Sequence, residues 1–239
     1  MGILFVVGIG PGDISLINRQ ALYAIEQSDY ICGYETYIKQ IKNIIKNKKI
    51  YSNKMGKEKE RVKEALDLAN QGFVVSLISG GDASLYAMAS LTHELNIYDN
   101  IKIEIVPGIT AALAASAKLG APISDDLAII SMSDLLTSWN IIKSRINAVN
   151  IGDFVCAIYN PKSSKRTKQI KYAIEEFYKK RGNLLCGIVK NCFRDNEEIK
   201  ICTLSSFDYN FVDMSSIVIV GNTKTYKKNN ILITPRGYL

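Results

Sequence analysis

Short β-branched or aromatic apolar runs alternate along the chain with stretches of helical period, and the alternation predicts strands followed by helices. Leu4 to Val7 reads as a buried strand that stops at Gly8-Ile9-Gly10-Pro11-Gly12-Asp13. A helix capped by Ser15 is expected next, with Leu16, Leu22 and Ile25 on one face. Tyr30 to Gly33 and Lys49 to Ser52 read as short strands around a helix over Tyr34 to Ile45. Glu58 to Gln71 is amphipathic, with Val62, Ala65, Leu66 and Ala69 apolar among charges, and Gly72 is placed to end it. Phe73 to Ile78 is the next strand, followed by Ser79-Gly80-Gly81-Asp82-Ala83 and a helix from about Ser84 to Glu94. Ile101 to Val106 then runs into Pro107-Gly108-Ile109-Thr110 and the small-residue helix Ala111 to Leu119.

Three strand-to-helix junctions therefore carry glycine beside a polar residue, and a mostly parallel sheet would set them along one rim. In open α/β sheets that rim is where small molecules bind. Gly120-Ala121-Pro122 breaks the pattern and marks a boundary between an α/β domain over 1–120 and a second over 121–239. Beyond it come strand Leu127 to Met132, a helix near Trp139 to Ala148, strand Phe154 to Tyr159, a basic helix near Arg166 to Lys180 and strand Leu184 to Val189. Ile199 to Leu204, Ser216 to Val220 and Ile231 to Thr234 are strands with no long helix between them, so antiparallel additions are expected there. The fold class is α/β, with two domains.

Composition narrows the function. Hydrophobic residues make up 47% and charged ones 22%, as in a globular enzyme, and no apolar run approaches the roughly 18 residues of a membrane span. Met1 leads into the first strand without a basic start, so a cytoplasmic protein with no membrane partner is expected. The five cysteines form no Cys-x-x-Cys pair and several sit in apolar runs, so they are expected to act as small hydrophobes, with no metal or disulfide role. The net charge of +7 would suit nucleic acid or a small polycarboxylate equally.

The loops disfavour two nucleotide sites. Gly8 and Gly10 begin a Gly-x-Gly-x-x-Gly pattern, but Asp13 stands sixth and Pro11 has no N–H for a phosphate. No Gly-Lys-Ser or Gly-Lys-Thr follows. The one histidine, His93, lies on a helix beside Leu91 and Leu95, and neither Gly-x-Ser-x-Gly nor His-Glu-x-x-His occurs. A chain this poor in general bases suits a reaction whose electrophile is already activated, where positioning supplies the rate.

Val7 to Asp13, Ser79 to Ala83 with Tyr86, Val106 to Ala111, Val220-Gly221-Asn222 and Ile233 to Tyr238 together resemble, in order, the tetrapyrrole (class III) methyltransferases. Ser131 to Thr137 with Trp139, and Tyr159-Asn160-Pro161 with Ser163, Lys165 and Arg166, look like the branch that methylates C17 of a corrin precursor with coupled ring contraction. The resemblance implies a homodimer of two-domain subunits, a mostly parallel N-terminal sheet, a mixed C-terminal sheet, and S-adenosyl-methionine in the cleft between domains, leaving as S-adenosyl-homocysteine.

Carried over residue by residue, the donor positions are Gly80, Gly81, Asp82, Leu85, Thr110, Ala111, Met132, Tyr159, Lys190 and Pro235. Gly10, Pro11 and Gly12 of the first loop are expected to face the tetrapyrrole, with Asp13 as the candidate catalytic group that orients it; capping a helix is the alternative role of Asp13. The polyanionic substrate would take Asn160, Lys165, Arg166 and Arg236. No protein-bound metal is implied. For each glycine a plain turn stays open beside ligand contact. The open alternatives are methylation at another corrin position, ribosomal RNA methylation and a nucleotide-binding module; Tyr172, Phe177 and Tyr178 sit in an amphipathic helix and read as structural rather than RNA-facing.

Overall fold

A computed structural model describes residues 1–238. The chain divides into two compact units that meet in sequence at Ala111–Ala112, ahead of the expected break at Gly120-Ala121-Pro122.

The first unit is built on a five-stranded sheet. Its strands are β1 (Gly2–Gly8), β2 (Tyr30–Tyr34), β3 (Lys49–Asn53), β4 (Val74–Ser79) and β5 (Ile101–Val106), in the order β3-β2-β4-β1-β5. Every neighbouring pair is parallel, so all five carboxyl ends lie on one rim and β1, β4 and β5 stand side by side. A sheet buried on both faces needs near-continuous apolar strands, and Leu4, Val6 and Leu77 pack into one core layer while Phe5, Val7 and Ile78 pack into another.

Helices α1 (Arg19–Gln27), α2 (Glu35–Gln40), α3 (Glu58–Asn70) and α4 (Ala89–Leu95) complete this unit. Helix α3 follows the predicted face, and Gly72 after it takes φ +95°, a left-handed value that favours glycine. Three helix expectations need correction. Ser15 caps nothing: Asp13 caps a single 3-10 turn over Ile14–Leu16, and α1 starts later, with Asn18 as its cap. Ile25 is buried as expected, but Leu22 is 37% exposed, and α1 buries Ala21 and Ala24 beside Ile25. Helix α2 ends at Gln40 and α4 begins at Ala89, because turns occupy the remainder of both predicted spans.

The second unit contains α5 (Ala111–Leu119), α6 (Trp139–Gly152) and α7 (Lys168–Arg181). Its main sheet joins β7 (Leu127–Ser131), β8 (Val155–Tyr159), β9 (Leu185–Lys190), β10 (Glu198–Thr203) and β11 (Ser216–Val220) in the order β10-β9-β11-β8-β7. Strands β7 and β8 pair in parallel, and the remaining pairs are antiparallel, as the loss of helices toward the tail implied. A second small sheet pairs β6 (Gly120–Ala121), β12 (Tyr226–Lys228) and β13 (Ile231–Ile233); β6 and β12 are too short to show a period in the sequence. On α7, Phe177 is fully buried and Tyr172 meets Trp139 edge-on at 5.2 Å, whereas Tyr178 is half exposed.

Candidate active site

In the first unit, the loops leaving β1, β4 and β5 are tied to one another pairwise. Gly10 and Gly81 exchange main-chain hydrogen bonds of 3.0 and 2.7 Å, and Ile9 N–H donates to the Ser79 carbonyl at 3.0 Å. Asp82 joins the β4 and β5 loops, because its Oδ2 accepts from Gly108 N–H at 3.0 Å. Asn18 joins the β1 and β5 loops: its Nδ2 donates to the Pro107 carbonyl at 2.6 Å, while its Oδ1 accepts from Ala21 N–H at 2.8 Å.

The glycines have a steric reason. A Cβ on Gly8 would stand 2.7 Å from the Gly81 carbonyl oxygen and 2.8 Å from Gly108 N; a Cβ on Gly108 would stand 2.2 Å from the same Gly81 oxygen. Backbone meets backbone at this point of the rim, and only glycine fits. Gly80 is closed differently, since a Cβ there would meet the Tyr37 ring at 2.5 Å.

Asp82 is the electrostatic centre of the rim. Its Oδ1 accepts from Ser84 N–H (2.8 Å) and Leu85 N–H (3.0 Å), so the carboxylate forms the turn that leads toward α4. Desolvation pushes its pKa up, but hydrogen bonds from Gly108, Ser84, Leu85 and Ala83 outweigh it and hold the carboxyl below the usual range. Both oxygens thus bond main chain, and Asp82 shapes the loop that carries Gly80 and Gly81. Tyr86 follows at φ 54°, a left-handed conformation rare for a bulky residue. Asp13 is exposed and accepts from Ser15 N–H at 2.8 Å, while Gly10 and Pro11 are buried and Gly12 half-buried.

The second unit gathers another group at the ends of β7 and β8. Tyr159 Oη accepts from Ala112 N–H at 2.8 Å, satisfying a main-chain donor in the first turn of α5 just after Thr110 and Ala111. Met132 N–H donates to the Tyr159 carbonyl at 2.9 Å, and the Met132 side chain is fully buried in the core of this unit. Asn160, at φ 49°, donates through Nδ2 to Ser131 Oγ at 3.0 Å.

The basic candidates separate. Arg166 is buried and donates to the Asn160 carbonyl at 2.8 Å, so it holds the loop after β8; Lys165 and Arg236 are exposed. Burial lowers the Arg166 pKa and Asp134 opposes that shift. The Lys190 ammonium stands 3.2 Å from Asp213 and 3.4 Å from Glu198, and the hydrogen bond to Asp213 leads the effects that raise its pKa. Pro235 is half-buried beyond β13. His93 is exposed on α4. No described helix is long and apolar enough to cross a membrane.

Asn18 and Tyr37 were not among the expected site residues. An asparagine directly before a helical period was the available signal for Asn18, whereas nothing local marks Tyr37 as the neighbour of Gly80.

A parallel sheet whose strand ends carry three interlocked glycine loops, joined in sequence to a mixed sheet, defines a small-molecule α/β protein whose loops hold no lysine or arginine for a phosphate. The sequence profile of the tetrapyrrole (corrin/porphyrin) methylases matches residues 4–208, and the chain belongs to that family. It is 40% identical over 238 residues to the probable cobalt-factor III C(17)-methyltransferase of Salmonella typhimurium, covering 98% of this chain and 99% of that one. It is 44% identical over 239 residues to the cobalamin biosynthesis protein CbiHC of Archaeoglobus fulgidus, but spans only 53% of that longer chain. The crystal structure of the methyltransferase CobJ superposes with a TM-score of 0.93 at 30% identity, covering 98% of this chain and all of that one.

Proposed function

We propose that the protein transfers a methyl group from S-adenosyl-methionine to C17 of cobalt-factor III, with coupled ring contraction, in cobalamin biosynthesis. The observation that carries this reading is the match to the S. typhimurium relative, which runs nearly end to end in both chains. The first unit fits a sulfonium donor. Its loops Gly8 to Asp13, Ser79 to Leu85 and Pro107 to Ala111 offer main-chain groups, small side chains and one carboxylate, with no basic cradle. When bound, the donor supplies an electrophilic methyl whose bond to sulfur breaks as the new carbon–carbon bond forms.

The residues here contribute geometry. Asp82, Asn18 and the Gly10–Gly81 exchange fix three loops before any ligand arrives, which lowers the ordering cost of binding. Gly80, Gly81, Leu85, Thr110, Ala111, Tyr159, Lys190 and Pro235 are the proposed donor positions, Asp82 acting by shaping Gly80 and Gly81. Met132 would contribute through its main chain, since its side chain is in the core. Asp13, Gly10, Pro11 and Gly12 are the proposed tetrapyrrole-facing group, with Asn160, Lys165 and Arg236 for its carboxylates and Arg166 as a positioning residue. A cytoplasmic homodimer completes the reading.

Turnover of cobalt-factor III against precorrin-3B, with the methyl position of the product read by NMR, is the deciding experiment. Methylation at C17 of the cobalt form is expected. Methylation at another carbon, or heat on titration with NAD or RNA but none with S-adenosyl-homocysteine, would overturn the reading.

A further inference from the structure

The five cysteines are all reduced, yet two of them are paired in space. Cys186 on β9 and Cys202 on β10 stand directly opposite in the antiparallel register, with their Sγ atoms 3.4 Å apart. Strand β10 is the edge of the main sheet of the second unit. Gly221 N–H donates to the Leu185 carbonyl, so Leu185 bonds toward β11 and its neighbour Cys186 bonds toward β10. Leu204 N–H donating to the Leu184 carbonyl continues the same phase. Cys186 and Cys202 therefore form a hydrogen-bonded pair, whose Cα atoms lie about 5.5 Å apart in antiparallel sheets. That is inside the range of about 4.4–6.8 Å that a disulfide spans.

We propose that Cys186 and Cys202 are an oxidisable dithiol, which peroxide converts to a cross-strand disulfide stapling edge strand β10 to β9. The order of attack follows from exposure. Cys186 is fully buried and Cys202 half-buried, so Cys202 meets the oxidant. Its sulfur attacks one oxygen of hydrogen peroxide, giving a sulfenic acid and water; the Cys186 thiol then displaces the hydroxyl as a second water and the S–S bond closes. Two thiols lose two protons and two electrons, and the peroxide takes up both.

The surroundings favour Cys202 as the thiol that meets the oxidant, while the hydrogen bond to Cys202 and burial push the Cys186 thiol up. The hydrogen bond from Cys186 leads the effects that lower the Cys202 pKa, and Lys200 assists against burial. Burial instead pushes Cys32, Cys156 and Cys192 up to about 12, where the reactive thiolate is scarce.

Brief treatment of the whole chain with hydrogen peroxide, alkylation and intact-mass analysis test the proposal. The count of alkylatable thiols should fall from five by two, the mass before alkylation by about 2 Da, and a non-reducing digest should link the two peptides. The urea midpoint should rise and return to its starting value with dithiothreitol. Cys202→Ser should keep its remaining thiols under the same treatment. Sulfinic acid at Cys202 with Cys186 still alkylatable, links only between molecules, or no thiol loss at peroxide levels that oxidise free cysteine would each overturn the proposal. A link without a rise in midpoint would overturn the staple. None of these readouts depends on methyl transfer.

Discussion

Asp82 concentrates what a single side chain does in this fold. Its carboxylate accepts from main-chain N–H groups on two loops, and those bonds favour the charged form over burial. The folded pKa lies below the unfolded value of about 3.9. Its stabilisation is therefore fully present above the unfolded pKa and lost as pH falls through the folded one. Asp82→Asn places a donor against Gly108 N–H and should cost about 1–2 kcal/mol at pH 7. Urea midpoints of the two proteins should begin to converge as pH falls below about 4, where the unfolded carboxyl protonates, and meet below the lower folded pKa, where the native carboxyl is also a donor; a constant difference down to pH 3 would contradict the account. Asp82→Ala should also weaken S-adenosyl-homocysteine binding, read by calorimetry. Asp13 is exposed and caps only a short turn, so Asp13→Ala should leave that affinity intact and lower turnover. Equal losses of affinity in both variants would sink the division of labour.

At the scale of elements, loops rather than helices carry the precision. Gly108→Ala would drive a methyl into the Gly81 carbonyl, which is main chain and cannot swing aside, and should destabilise by about 2–3 kcal/mol. Gly72→Ala, in the left-handed cap of α3, is the matched control: φ is +95° but nothing lies within 4 Å of the added carbon, so only about 1 kcal/mol should be lost. Comparable urea midpoints for the two would remove the close-packing argument. In the second unit, Tyr159→Phe deletes the acceptor for Ala112 N–H and should cost about 1 kcal/mol, by the same measurement.

These elements also show what a sequence can carry. Strands β1, β4, β5 and β11 were legible because a β-branched run between turn residues needs no distant partner to be recognised. The starts of α1 and α4 were not, since Asp13, Asn18 and Asp82 organise those turns through side-chain bonds that leave no apolar period. The glycine positions were visible, but their cause was not. Gly8 and Gly108 exclude each other's side chains, and the Gly81 carbonyl blocks both, across three loops far apart in the chain. Burial of Arg166 was hidden for a similar reason, because an arginine beside a lysine reads as a contact for a polyanionic substrate until the Asn160 carbonyl is placed against it. The cysteines read as isolated hydrophobes because sequence spacing cannot show the register that sets Cys186 against Cys202.

For the whole molecule the +7 charge becomes meaningful only beside the proposed substrate. A cobalt-factor carries several carboxylates, so a cationic protein should speed its encounter, and salt should screen that attraction with a Debye length of about 10 Å at 0.1 M. S-adenosyl-homocysteine bears no comparable net charge, and the one basic residue among its proposed positions, Lys190, is already paired with Asp213 and Glu198. Raising ionic strength from about 0.02 to 0.3 M should therefore lower kcat/KM for the tetrapyrrole several-fold, mainly through KM. Donor affinity should hardly change over the same range. Lys165→Gln with Arg236→Gln should flatten the salt dependence while leaving donor affinity alone, because both side chains are exposed and neither supports the core. A salt slope unchanged by the double substitution would place the substrate's carboxylates elsewhere on the basic surface. A donor affinity as salt-sensitive as kcat/KM would mean that charge acts on the donor, contrary to a site whose one proposed lysine, Lys190, is held by Asp213 and Glu198.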